Sequence, residues 1–277
     1  MKKLMEYKII AGRTVEIRRS WMPVRSLGEP KPRRGARRAG SSSEKKIRAN
    51  EISAERALAR SINLNFGQGD GFLSLKYDNG QLPADFQAAK EYAARFMRKF
   101  RTAYRKEHGH NPVTILVNAN WSPKHQCPAR LHHHLLVPAD GIELARKLWT
   151  GGGFNLEQLD NRGDHSDLAA YLIANLHDMP NEKHYHVSRN LAKPIYTEPV
   201  PVADVEDVRP EKGSVIKAHE ASVDEDGRVV SSYLRCVLPE SPRVRGGQIV
   251  MTRRGKNPSA ADGGTSPCRG GKSGAGR

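Results

Sequence analysis

Leu131-His132-His133-His134-Leu135-Leu136-Val137 is the stretch on which the reading of this chain turns. As a strand it alternates, with His132 and His134 on one face and Leu131, His133, Leu135 and Val137 on the other. Two imidazoles side by side on rigid backbone are able to share one divalent ion without help from a loop. Spacing alone is not the signal, because His108-Gly109-His110 and His184-Tyr185-His186 have it too. The neighbours decide. Val113 to Trp121 reads as the preceding strand, which makes an antiparallel hairpin with a long loop. Its Asn118 and Asn120 share a face that can coincide with the His132/His134 face, so Asn118 or Asn120 is the candidate oxygen ligand, Asn120 first, with His125 in the loop as alternative. Two metal readings stand. In one, His132, His134 and an oxygen donor hold Mn²⁺ or Mg²⁺, imidazole suiting Mn²⁺ better. In the other, His125, Cys127, His132 and His134 form a structural zinc site, though a second cysteine or a Cys-x-x-Cys pair is missing.

Outward from that strand, Phe72 to Asp78 alternates with period two, putting Leu73, Leu75 and Tyr77 on one face and Ser74, Lys76 and Asp78 on the other. Asp78-Asn79-Gly80 turns the chain into a helix entered through Pro83 and Asp85. Phe86, Ala89, Ala93, Phe96, Met97, Phe100 and Tyr104 form its apolar stripe, leaving Arg95, Arg98, Lys99, Arg101, Arg105 and Lys106 on the other faces. Those bases suit a solvated surface or a nucleic-acid groove. Ile47 to Asn65 reads as an earlier helix. Asp140 and Glu143 have capping-box spacing for a helix to Trp149, stopped at Gly151-Gly152-Gly153. Phe154 to Leu159 and Tyr185 to Leu191 read as strands. Between them Ser166 or Asp167 caps a helix that carries Leu168, Ala169, Leu172, Ile173 and Leu176 inward. The order predicts an α+β fold with a mainly antiparallel sheet.

Tyr171 lies outside that inward stripe, sharing a polar face with Asp167, Ala174, Asn175 and Asp178. A tyrosine so placed near histidines is a candidate nucleophile.

The 277 residues carry a formal charge of +16, distributed unevenly. Residues 1–60 hold a net +11 and residues 241–277 a net +7, which leaves 61–240 at −2. A near-neutral core with two basic arms points to a polyanionic partner, nucleic acid first. Four segments follow: a basic, largely disordered arm over 1–46, a folded domain over 47–200, an extension over 201–240 with a candidate small β unit, and a Gly/Arg-rich disordered tail over 241–277. Gly270-Gly271-Lys272-Ser273 is no phosphate loop, since Ser266 stands where its first glycine belongs, so no nucleotide cofactor is expected. Three widely spaced cysteines imply no disulfide framework, and no apolar run suits a membrane span or secretory signal. The expectation is a soluble, cytoplasmic protein without a membrane partner.

Taken together, Phe72-Leu73-Ser74-Leu75, Leu131 to Val137, Leu168-Ala169-Ala170-Tyr171-Leu172 and Ser188-Arg189-Asn190-Leu191-x-x-Pro194 resemble the replication-associated (Rep) proteins of phages and plasmids. These are rolling-circle endonucleases of the His-hydrophobe-His (HUH) class, and the resemblance covers residues 60–200. It implies a sheet of about five antiparallel strands with flanking helices in a split-βαβ arrangement. It also implies His132 and His134 as metal ligands and Tyr171 as the nucleophile that cuts one DNA strand, leaving a 5′-phosphotyrosine and a free 3′-hydroxyl primer. Ser74, Lys76, Arg98, Arg101, Arg105, Arg189 and Asn190 would contact single-stranded or origin DNA, with helicase and polymerase supplied by the host. The chain departs from the family pattern at Ala174, where a lysine is usual, and at Asn175, where some relatives carry a second tyrosine. A relaxase or tyrosine transposase would use the same constellation; a non-catalytic, zinc-stabilised nucleic-acid-binding protein is the reading from a different class.

Overall fold

The computed structural model describes residues 2–23, 44–177, 183, 185–245 and 248–250. It is α+β with two antiparallel sheets. The first holds five strands in the order β6-β3-β5-β4-β7, namely β3 Gly71–Lys76, β4 Ile115–Ser122, β5 Cys127–Val137, β6 Phe154–Gln158 and β7 His186–Val187. β5 is central because Leu135, Leu136 and Val137 are all fully buried, an apolar run that only a strand covered on both faces accommodates. β3 and β4 are each antiparallel to β5 and so run parallel to one another. They are joined through helix α2 Phe86–His108, which makes a split β-α-β unit with β5 inserted.

Each face of this sheet has its own core. α2 and α3 (Ile142–Leu148) cover the face bearing Leu73, Leu75, Leu116, Leu135 and Val137. α1 (Glu44–Asn65) and α4 (Ser166–Ala174) cover the face bearing Phe72, Ile115, Val117 and Leu136. α2 begins where Asp85 accepts the Ala88 amide at 2.7 Å and ends at Gly109, whose φ of 78° suits a residue without a side chain.

The second sheet corrects the reading of the N-terminal arm. Residues 2–23 form a hairpin, β1 Lys2–Ala11 and β2 Thr14–Pro23, in place of the disordered segment expected over 1–46. Charge counted over sixty residues hides the pattern that matters here. Leu4, Ile9, Ile10, Val15 and Ile17 are buried, while Arg19 pairs with Glu6 at 2.7 Å and Arg18 with Glu16 at 2.9 Å. Arg33, Arg34, Arg37 and Arg38 lie outside the described residues. β8 Ile195–Tyr196 and β9 Val200–Pro201 pair with β1, and β10 Val215–Val223 with β11 Val229–Val237 extends the sheet through β2. The expected boundary at residue 200 is therefore crossed by one sheet. Of the tail, β12 Arg243–Arg245 and β13 Gln248–Val250 pair with each other, and residues 251–277 lie outside the described residues.

Three local expectations change. The loop between β4 and β5 shortens to residues 123–126, because β5 begins at Cys127. Asp140 accepts the Tyr104 hydroxyl at 2.9 Å and caps no helix, α3 being entered through a single 3-10 turn. Asp164 takes the Ser166 amide and hydroxyl at 3.2 and 2.6 Å, which leaves His165 in the cap position of α4.

Helix α1 joins the two sheets. Glu16, 2% exposed on β2, accepts from Arg60 of α1 at 2.8 Å and from Arg18 at 2.9 Å. Asn63 donates to Thr14 at 3.0 Å and accepts the His165 amide at 2.8 Å, so the β1–β2 turn and the entry to α4 meet on one side chain. Gly12 makes the approach possible: its φ is +62°, and a Cβ there would stand 2.3 Å from the Asn63 carbonyl oxygen. Arg235 of β11 pairs with Asp164 at 3.1 Å. Among the described residues no helix is long and apolar enough to cross a membrane.

Removing Glu16 leaves two guanidinium groups without their carboxylate in a closed site. Glu16→Ala is expected to lower unfolding free energy by about 3–5 kcal/mol in urea titration. A loss below about 1 kcal/mol would mean that apolar packing alone joins the sheets.

Candidate active site

The register of β5 fixes the site. Val117 and Ala119 of β4 lie opposite His134 and His132, and Asn118 lies opposite His133. On the other side Ser74 and Lys76 of β3 face His134 and His132. Directly opposed residues share a face. Ser74, Lys76, His132 and His134 therefore stand together, and Asn118 belongs to the opposite face.

That opposite face explains His133. Its Nδ1 is 2.8 Å from Asn118 Oδ1 and its Nε2 2.6 Å from the Tyr77 hydroxyl. A neutral ring satisfies both, donating from Nδ1 to the amide oxygen and accepting from the phenol. Burial drives its pKa down to about 3, helped by the charge of His132, so it stays neutral. His133 is a core residue.

His132 and His134 meet at their Nε2 atoms, 3.2 Å apart. His132 Nδ1 is 2.8 Å from the Arg130 carbonyl, which only accepts, so that nitrogen carries the proton and Nε2 carries the lone pair. His134 Nδ1 is 3.1 Å from Ser74 Oγ, a hydroxyl able to donate or accept. With Ser74 donating, a proton sits between the two Nε2 atoms. With Ser74 accepting, two lone pairs point at one locus and need a cation there. For metal–nitrogen bonds of about 2.1 Å, that separation corresponds to an angle of about 100° at the ion, an ordinary edge of a coordination shell. The donor pair thus fits one divalent ion, with the outer nitrogens held as such sites require.

Both rings resist protonation. His134 is only 2% exposed, stacked on Phe72 with centroids 5.2 Å apart, and desolvation with the His132 charge brings its pKa to about 3. Burial lowers His132 as well, against the Arg130 hydrogen bond that raises it, and the Lys76 ammonium disfavours a positive charge on both rings.

Tyr171 stands against the other side of His134, edge to face at 5.5 Å, and is 42% exposed. A wet phenol on a helix face and a dry imidazole pair on a strand are thereby adjacent. A groove of about 290 Å³ runs from Tyr171 past Phe72, Glu157, His165 and Asp167. Of its carboxylates, only Asp167 is singled out in the sequence. Glu157 could have been, since β6 places it opposite Phe72 on the histidine face.

Asn120 is not the third ligand. The ladder is irregular between Ala119 and Trp121, and the Asn120 amide bonds both ways with the His177 backbone, at 3.0 Å each. Asn175, expected beside Tyr171 on the polar face, is 1% exposed. The helix ends before it, its side chain donates to the Tyr171 carbonyl at 2.6 Å, and its own carbonyl takes the Asn120 and Trp121 amides. Together Asn120 and Asn175 tie α4 to β4, setting where Tyr171 stands. Cys127 and His125 are exposed and do not complete a zinc site: among the described residues no group of three or more His, Cys, Asp or Glu is placed to hold a metal ion. An ion held by His132 and His134 would take its remaining ligands from water or a bound ligand's oxygens.

The residues expected to contact DNA divide. Ser74 and Lys76 are at the histidine pair, the Ser74 hydroxyl engaged by His134. Arg98, Arg101, Arg105, Arg189 and Asn190 line a separate groove. No family model, no curated protein and no solved structure matches this chain.

His133 gives a pH prediction. Its folded pKa of about 3 lies below the ordinary 6.5, so the unfolded chain binds the extra proton between those values. Stability from this group is complete above pH 6.5 and falls as pH drops, by about 1.4 kcal/mol per unit. Urea midpoints at pH 6.5 and 5 should show that fall together with a similar one from His134, and His133→Leu should remove about half of the slope. An unchanged slope would mean that His133 is protonated in the fold.

Proposed function

We propose that this protein is a metal-dependent, site-specific DNA-nicking and joining enzyme that initiates rolling-circle replication in the cytoplasm. The observation that carries the reading is the convergence of His132 Nε2 and His134 Nε2 at 3.2 Å with Tyr171 packed on His134. Residues about forty positions apart in sequence and set on different elements meet at one spot, in the combination that strand transfer requires.

The reaction conserves the phosphodiester. The Tyr171 oxygen attacks the scissile phosphorus, a Tyr–O–P bond forms, and the bond from phosphorus to the 3′ oxygen breaks. The products are a 5′-phosphotyrosine and a 3′-hydroxyl, the phenolic proton ending on the leaving oxygen. What a divalent ion on His132 and His134 supplies is polarisation of the scissile phosphate and compensation of its charge. The protein's own part is positional. Ser74 and the Arg130 carbonyl orient the two imidazoles, Asn175 and Asn120 fix α4, and Lys76 puts an ammonium where the substrate phosphate would lie. The reverse attack, by the 3′-hydroxyl on the phosphotyrosine, rejoins the strand. Ala174 gives no basic group after the tyrosine, so proton movement depends on a group from elsewhere, such as Lys76 beside the histidine pair.

Single-stranded DNA from its own replicon, incubated with Mn²⁺ and run on a denaturing gel, tests the proposal. Wild type should give a protein–DNA adduct and Tyr171→Phe none, while the variant still binds Mn²⁺. His132→Ala and His134→Ala should each lower adduct formation by at least about 100-fold, the scale on which metal sites lose function. Adduct formation by Tyr171→Phe, or full activity with EDTA, would overturn it.

A further inference from the structure

Among the described residues, positive charge without a carboxylate partner also gathers away from the histidine pair. Arg98, Arg101 and Arg105 sit at successive turns on one exposed side of α2 and line two adjoining hollows of about 350 and 560 Å³. The opposite wall is residues 111–116 of the approach to β4, together with His186, Ser188 and Arg189 around β7. Leu116 and Asn118, which floor the first hollow, point to the His133 face of the sheet. The groove and the His132/His134 pair therefore stand on opposite faces of one sheet.

Its arginines differ from those that are paired within the fold. Arg18, Arg19, Arg56, Arg60, Arg162 and Arg235 each hold an Asp or Glu within 3.1 Å. Among the described residues no carboxylate pairs with Arg98, Arg101, Arg105 or Arg189, and neither hollow has an acidic residue in its lining. Arg101 spends its Nε on the Met97 carbonyl at 3.2 Å and keeps its terminal nitrogens for the groove. Four guanidinium groups along one channel repel each other unless an anion lies among them.

We propose that this groove holds the phosphate backbone of a nucleic-acid strand, at a second site separate from the one cut at Tyr171. It rests on the nucleic-acid side of the function proposed above. The seven-residue step from Arg98 to Arg105 rises about 10 Å, enough to set the three guanidinium groups against different phosphates of one strand. A channel with no Phe, Tyr or Trp in its lining suits backbone better than bases. The site therefore contributes sequence-independent affinity for a flanking stretch.

Fluorescence anisotropy of the full chain with a labelled single-stranded oligonucleotide, over a range of salt, tests this. The combined variant R98Q/R101Q/R105Q should weaken binding and lower the slope of log affinity against log salt by about 2, at about 0.7 per lost phosphate contact. R95Q/K99Q/K106Q removes the same charge from the same helix outside the groove and should change the slope by less than half as much. Equal effects of the two variants would reduce the groove to a general field, and an unchanged slope in the first would remove it altogether. Displacement of the oligonucleotide by inorganic phosphate at matched ionic strength would make it a small-anion pocket. Binding is what is read, so a chain that binds here and forms no Tyr171 adduct refutes the nicking reading alone.

Discussion

The Tyr77 hydroxyl and the Asn118 amide hold the His133 ring from either side, at 2.6 and 2.8 Å, and this clasp sets the pleat of β5. A slip of one residue would carry His132 and His134 into the core and leave His133 without partners. Both moves strand buried polar groups, each at a cost of about 1–3 kcal/mol. The geometry of the His132/His134 pair is therefore maintained from beneath, by a histidine that takes no part in it. Leu135, Leu136 and Val137 continue the same strand into a closed core, so the pair projects from a support that is dry on both faces.

Tyr171 depends on a second set of constraints that begins far from it. The N-terminal hairpin meets α1 through Glu16, Arg60 and Asn63, and Asn63 in turn holds the His165 amide at the entry to α4. At the other end of that helix Asn175 and Asn120 fasten it to β4. A nine-residue helix pinned at both ends presents its tyrosine in one place. The six-stranded sheet, which bears none of the candidate catalytic groups, thus acts as the brace of the five-stranded one.

The strands and helices around the site were legible because their periodicity is clean. Period two in Phe72–Asp78 and Leu131–Val137 and the stripe on α2 lead directly to the observed faces. What was not legible depended on pairing. Whether Asn118 or Asn120 joins the histidines is a matter of register, and the irregularity after Ala119 removes Asn120 from the face that simple alternation gives it. The N-terminal hairpin was obscured because Arg18 and Arg19 are paired with Glu16 and Glu6 within the same sheet, a relation that a segment's net charge does not express. The α2 arginines read alike in sequence, and only the fold separates those facing β7 from those facing open solvent.

The most direct test of the central claim is to locate the covalent bond. After reaction with single-stranded replicon DNA and Mn²⁺, the protein is digested with nuclease and protease and the modified peptide sequenced by mass spectrometry. The account requires a nucleotide phosphate on Tyr171, and on no other tyrosine. A phosphate on Tyr185 or Tyr196, or cleavage that leaves no nucleotide on the protein, would contradict it.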